Sequence, residues 1–174
     1  MNDEIKKAIS VFAQEKLCYI GADFEKNNLQ VFSAFNVEKM LQSSNSGDYK
    51  YSTLATLGDS VAGLLLCSMF YQDKRKGKIT NEKLALQNKI FSKVSNELGL
   101  LDYRYDDKRF GKQPAEAQFK SDPSALFEAV LGAIFIDCGY ERTKEFWDKT
   151  LYPLIKKIMM CLRASKSKRL SRIR

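Results

Sequence analysis

Two carboxylates lie in the most apolar stretches of this 174-residue chain. Asp59 sits in Leu54-Ala55-Thr56-Leu57-Gly58-Asp59-Ser60-Val61, and Glu128 in Phe127-Glu128-Ala129-Val130-Leu131-Gly132-Ala133-Ile134. A charge among such neighbours is costly unless it is paired, hydrogen-bonded or bound to a metal. Gly58 and Gly132 carry no side chain and would let two helices approach closely, bringing Asp59 and Glu128 together. The other arrangement is two separate carboxylates, each satisfied by a lysine or a helix terminus. The chain has no histidine, which excludes Ser-His-Asp and Cys-His nucleophile systems and an H-E-x-x-H zinc site. Hydrolytic chemistry must therefore run on carboxylates and a metal, or on Lys, Tyr or Cys.

The elements that would position these acids are helices. Apolar residues at 5, 8, 9, 12 and 13 form one stripe at helical spacing over Asp3 to Leu17, and Leu29 to Leu41 repeats the pattern. Ser43 to Asp48 is loop-like. From about Tyr51 to Tyr71 hydrophobic residues fall on nearly all sides, which marks a central, buried helix. Lys74-Arg75-Lys76-Gly77-Lys78 breaks it. Thr80 is an N-cap candidate for the next helix, which Gly99 ends as a residue free to turn left-handed. The segment from Asp102 to Ser121 has no clean period and reads as a long surface connection. Asp122-Pro123 starts a second apolar helix that runs to about Asp137. Gly139 punctuates it, an amphipathic helix follows over Glu141 to Met160, and Pro153 is expected to break or kink that last pattern. Phe146 and Trp147 are assigned to the core. No strand alternation persists, so the expected class is all-α, with one domain over 1–162 and a disordered basic tail over 163–174.

Composition narrows the function. The chain carries 29 basic and 21 acidic residues, a formal charge of +8, and a pI near 9.3. Such a balance favours a polyanionic partner, most simply nucleic acid. Six of the basic residues lie in the last twelve positions, so residues 1–162 hold only +2. Cys18, Cys67, Cys138 and Cys161 lie far apart with no C-x-x-C pair, which reads as buried free thiols. The N-terminus lacks the basic-then-apolar order of a signal peptide. The longest apolar run, Val61 to Tyr71, is short for a bilayer span. The expected location is the cytoplasm, with no membrane partner.

At Leu57-Gly58-Asp59-Ser60-Val61 the chain resembles the ribonuclease III family, whose signature usually reads E-x-L-E-F-L-G-D-S-V. Phe127 to Gly139 is similar to the family's later segment, with Glu128, Ala129, Gly132, Ala133, Asp137 and Gly139 in register. Ile79-Thr80 with Lys83 resembles its L-T-x-x-[KR] helix start, and Glu97-Leu98-Gly99-Leu100 its E-L-G-L. The resemblance covers about residues 17 to 160. It implies an all-helical endonuclease domain, usually a homodimer, that cuts double-stranded RNA with Mg²⁺ (or Mn²⁺). It also implies an acidic cluster with two carboxylates from each signature helix. Positions 55 and 59 are i,i+4 and positions 125 and 128 are i,i+3, so each pair shares a helix face. Facing pairs would suit a hard cation, which can activate water and neutralise phosphodiester charge without histidine.

The chain departs from that pattern where it matters most. The family's second Glu falls on Ala55, its Asp on Ala125, and its earlier Glu on Ser52, which leaves Asp59 and Glu128 as the surviving catalytic and metal-site acids. Activity should then be impaired. Three explanations stand: a natural member that binds RNA or a ribonucleoprotein without cutting, a rearranged site that recruits Asp122, or alanines introduced deliberately. Acids at codons 55 and 125 of the unaltered gene would identify the last. The aromatic that usually follows the second Glu is Thr56, which bears on dimer packing. No double-stranded-RNA-binding domain is expected after the nuclease-like helices. RNA contact then falls to Arg104, Lys108, Arg109 and Lys112, beside Tyr103, Tyr105 and Phe110. It falls also to the tail, with Lys166, Lys168 and Arg169. The alternative for those tail residues is a solvated terminus, and for Lys74 to Lys78 a solvated loop. The leading expectation is a double-stranded RNA endoribonuclease; the alternative is a non-catalytic RNA-binding or ribosome-associated protein on the same fold.

Overall fold

The computed structural model describes residues 1, 3–25, 29–36, 50–72, 87–106, 109–110 and 123–170. Helix α1 is Asp3–Lys16, α2 is Gln30–Ala34, α3 is Lys50–Gln72 and α4 is Gln87–Leu98. A 3₁₀ turn, Leu100–Tyr103, leads into the strands β1 (Tyr105–Asp106) and β2 (Arg109–Phe110), which pair antiparallel. Helix α5 is Pro123–Phe146, a π turn follows over Trp147–Leu151, and α6 is Tyr152–Leu170. The class is all-α, as the periodicity predicts. Lys74 to Lys78, Thr80, Lys83, the Ser43–Asp48 loop and Asp122 lie outside the described residues.

The centre of the molecule is the crossing of α3 and α5. Both helices are apolar on most sides, and together they supply Leu54, Val61, Ala62, Leu65, Leu126, Phe127, Val130, Leu131 and Ile134 to the core. They meet backbone to backbone. A Cβ placed on Gly58 would fall 1.8 Å from the Glu128 carbonyl oxygen, and one on Gly132 would fall 2.1 Å from the Leu54 carbonyl oxygen. Neither glycine can become alanine without moving a helix. Phe91 of α4 closes one side of the crossing against Phe127, with ring centroids 4.7 Å apart. Such aromatic pairs gain about 0.5–1.5 kcal/mol beyond the area they bury. Phe146 and Trp147 are buried, as expected.

Several expectations are corrected. Helix α2 stops at Ala34, because Asn36 leaves the helix to bridge Tyr105 and the Tyr105 N–H donates to the Phe35 carbonyl at 3.0 Å; residues 37–41 of the expected helix lie outside the described residues. The connection after Asp102 contains a hairpin whose two-residue strands are too short for alternation to show in sequence. The expected break at Pro153 takes the form of the π turn. The Tyr152 N–H reaches back to the Trp147 carbonyl, and the widened turn falls where a proline without an N–H cannot continue the ladder. Helix α6 extends to Leu170, into the basic segment. Two of the thiols expected to be buried, Cys67 and Cys161, are exposed. Tyr51–Met69 and Pro123–Leu162 are long and apolar enough to cross a membrane, unlike the shorter run read from sequence. In this fold those segments pack on one another as core helices.

Gly99 and Gly139 behave as read. Gly99 takes φ 71° at the end of α4, and Gly139, at φ 79° and ψ 171°, divides α5 into two helical halves.

Candidate active site

The glycine crossing fixes where the two acids stand. Gly58 abuts the Glu128 carbonyl, and Asp59 is the next residue along α3. Asp59 and Glu128 are therefore carried beside a close backbone approach of α3 and α5. Asp59 is exposed, and its Oδ1 accepts a hydrogen bond from Gln87 Nε2 at 2.7 Å. Gln87, only 8% exposed, is the first residue of α4, so a third helix helps orient this carboxylate. Glu128 is half-buried, and its Oε1 accepts from Ser124 Oγ at 3.2 Å, one helical turn earlier. Ala55 and Ala125 are also half-buried, each one turn before its acid.

This donor set bears directly on a cation. Each carboxylate has an oxygen engaged in the contacts above, and an ionised carboxylate offers about four lone-pair sites in all. Two hard oxygens can hold a Mg²⁺-like ion if substrate phosphates and waters complete its shell. Among the described residues no group of three or more His, Cys, Asp or Glu side chains gathers to hold a metal. The set fits a divalent ion in part, and positions 55 and 125 are where further ligands would come from.

The residues expected to contact RNA divide differently. Arg104 is 8% exposed, and its Nε donates to the Leu101 carbonyl at 3.1 Å. Burial lowers the pKa of its guanidinium. Its aromatic neighbours also turn inward: Tyr103 stacks on Phe12 at 3.9 Å, and Tyr105 Oη donates to the Phe32 carbonyl at 3.0 Å. This end of the segment clamps α1 and α2 to the body. Lys108 and Lys112 lie outside the described residues, as do the side chains of Arg109, Lys166, Lys168 and Arg169.

A third acid has a role that sequence reasoning missed. Asp137 accepts three hydrogen bonds, from Tyr19 Oη at 2.7 Å, the Gln30 N–H at 2.9 Å and the Val31 N–H at 3.0 Å. It caps the first turn of α2 from a different helix, satisfying donors that a helix start leaves without partners. Burial raises the Asp137 pKa, while the Gln30, Tyr19 and Val31 hydrogen bonds oppose that shift. Burial also raises Tyr19, helped by the adjacent Asp137 charge. The Asp137→Ala change should cost about 2–3 kcal/mol by orphaning these donors. That corresponds to a Tm lower by roughly 4–12 °C, readable by thermal circular dichroism. An unchanged Tm would show that α2 is held by other contacts.

An all-α body in which two apolar helices cross on glycines and carry acids beside the crossing is the class of architecture that the sequence resemblance implies. Comparison with known proteins agrees. Residues 52–139 match the Ribonuclease III domain family. The chain is 32% identical over 134 residues to Ribonuclease 3 of Bradyrhizobium diazoefficiens, covering 73% of this chain and 52% of that protein. It is 25% identical over 162 residues to Ribonuclease 3 of Bacteroides thetaiotaomicron, covering 87% and 50% respectively. Ribonuclease 3 of Rhodopseudomonas palustris is 30% identical over 152 residues, covering 83% and 53%. The chain spans about half the length of these curated relatives. It belongs to the ribonuclease III domain family.

Proposed function

We propose that this chain is an endoribonuclease domain that acts on double-stranded RNA in the cytoplasm as a homodimer, with hydrolysis impaired by Ala55 and Ala125. The observation that carries this reading is the glycine crossing inside the family-matched region, which sets Asp59 and Glu128 on either side of one backbone contact. Asp59 and Glu128 would hold a divalent cation, Mg²⁺ or Mn²⁺. Such an ion supplies an activated water and neutralises charge on the phosphodiester. Gln87 orients Asp59, and Ser124 orients Glu128. Support for the dimer comes from the exposed side of α3, where Leu64 is 59% exposed on the stripe that also carries Thr56, Ser60 and Cys67.

A second reading, RNA binding without cutting, is favoured by one specific feature: alanines stand at both extra ligand positions. Incubation of the protein with long double-stranded RNA and Mg²⁺ separates the two. Slow cleavage that stops with a chelator supports the enzyme. Binding with no cleavage at any metal concentration supports the second reading.

The basic C-terminus bears on affinity under either reading. Removing residues 163–174 takes away six positive charges and no negative one. RNA binding should weaken, and the slope of log affinity against log salt should flatten by about 2–5, since each phosphate contact contributes roughly 0.7–0.9. Fluorescence anisotropy at several salt concentrations measures it. An unchanged slope would leave these residues as a solvated terminus.

A further inference from the structure

Cys18 and Cys138 come together from opposite ends of the chain at two interrupted helix ends. Cys18 follows α1 with φ 77°, a left-handed conformation that normally falls to glycine. The Ala13 carbonyl accepts from the N–H groups of both Leu17, at 3.1 Å, and Tyr19, at 3.2 Å, which wraps the backbone around this residue. A non-glycine side chain held in such a conformation is a local cost that the surrounding contacts must sustain. Cys138 immediately precedes the Gly139 kink in α5. The adjacent residues are already clasped, through Tyr19 Oη and Asp137 Oδ2 at 2.7 Å. Within that clasp the Cys18 and Cys138 thiols lie near enough to influence one another directly, with Arg142 near both. Both cysteines are half-buried and packed against the core.

We propose that Cys18 and Cys138 are a reversible dithiol–disulfide pair that locks the end of α1 to the kink of α5, with small-molecule disulfides as its oxidant. The two thiols have unequal chemistry. The nearby Cys18 thiol, aided by the positive charge of Arg142, lowers the Cys138 thiol pKa against the opposing effects of burial and Asp137. The same interaction with Cys138, and burial, raise Cys18. Cys138 is therefore the attacking sulfur and Cys18 the resolving one. The Cys138 thiolate attacks one sulfur of oxidised glutathione, forms a mixed disulfide and expels one glutathione thiolate, which takes up the proton Cys138 released. Cys18 then gives up its proton and attacks the Cys138 sulfur. The protein disulfide forms, and the second glutathione leaves with that proton. In net, one oxidised glutathione is reduced to two glutathione molecules, and two protein thiols become one disulfide.

The test uses the full chain with Cys67→Ser and Cys161→Ser, so that only this pair remains. The protein is equilibrated with mixtures of reduced and oxidised glutathione, free thiols are alkylated, and peptides are mapped by mass without reduction. The expected result is that both thiols disappear together with one midpoint, return on adding dithiothreitol, and yield a peptide joining the segments around 18 and 138. Adding Cys18→Ser should leave Cys138 trapped as the glutathione adduct. Adding Cys138→Ser instead should slow reaction at Cys18 by at least about tenfold. Thiols that stay free, or that are each glutathionylated independently, would overturn the proposal. The first measurement alters neither cysteine of the pair, so it decides even if the single variants do not fold.

Discussion

Changing Ala55→Glu and Ala125→Asp together is expected to raise cleavage of long double-stranded RNA in Mg²⁺ by about two to four orders of magnitude. The reasoning starts from position. Ala55 lies one turn before Asp59 on α3, and Ala125 lies one turn before Glu128 on α5, each half-buried and within its own helix. Acids there would add ligands on the helix faces already aimed by the glycine crossing, without disturbing the crossing itself. A divalent ion stabilises phosphoryl charge in the transition state by several kcal/mol. If a site short of two ligands forfeits roughly 3–5 kcal/mol of this, each 1.4 kcal/mol regained is about tenfold in rate. Single-turnover cleavage of a labelled duplex measures the gain. A protein that carries both changes, binds the duplex and still fails to cut would remove the enzyme reading and leave the binding one.

The second large effect concerns the crossing. Gly58→Ala and Gly132→Ala should each destabilise the fold by about 3 kcal/mol or more, at or above the top of the usual range for overpacking. In most overpacked cores a side chain can rotate aside. Here the new methyl would meet a backbone carbonyl at 1.8 or 2.1 Å, so one helix must shift. Gly63→Ala is the internal control. It lies on the same helix with nothing within 4 Å of the added carbon, and should gain about 0.5–1 kcal/mol from helix propensity. Urea unfolding of the three variants gives the ranking. If all three behave alike, the close approach of α3 and α5 is not what holds the centre.

How much of this was legible in the sequence follows from which interactions are local. The apolar helices, Gly99 and Gly139 were readable because periodicity and left-handed glycine positions are properties of short windows. The closeness of Gly58 and Gly132 was readable because small residues facing one another within two apolar helices leave few alternatives. The contacts of Asp137 were not, because its donors come from Tyr19 and from the start of α2, more than a hundred residues away. Gln87 on Asp59 was hidden for the same reason. Arg104 looked like a surface cation because its neighbours are charged. The 3₁₀ turn instead folds its side chain back onto Leu101, and the stacking of Tyr103 on Phe12 draws that segment into the core. Composition also misled: it counted four cysteines without showing that two of them meet.

The most direct test of the central claim, that the acids beside the α3–α5 crossing form a divalent-metal site, is a Mn²⁺ titration followed by the paramagnetic resonance of free ion. The Ala55→Glu, Ala125→Asp protein should bind Mn²⁺ at least about tenfold more tightly than the unaltered chain, as expected for added carboxylate ligands, and a further Glu128→Gln change should abolish that gain. Equal Mn²⁺ affinity in all three proteins would contradict it.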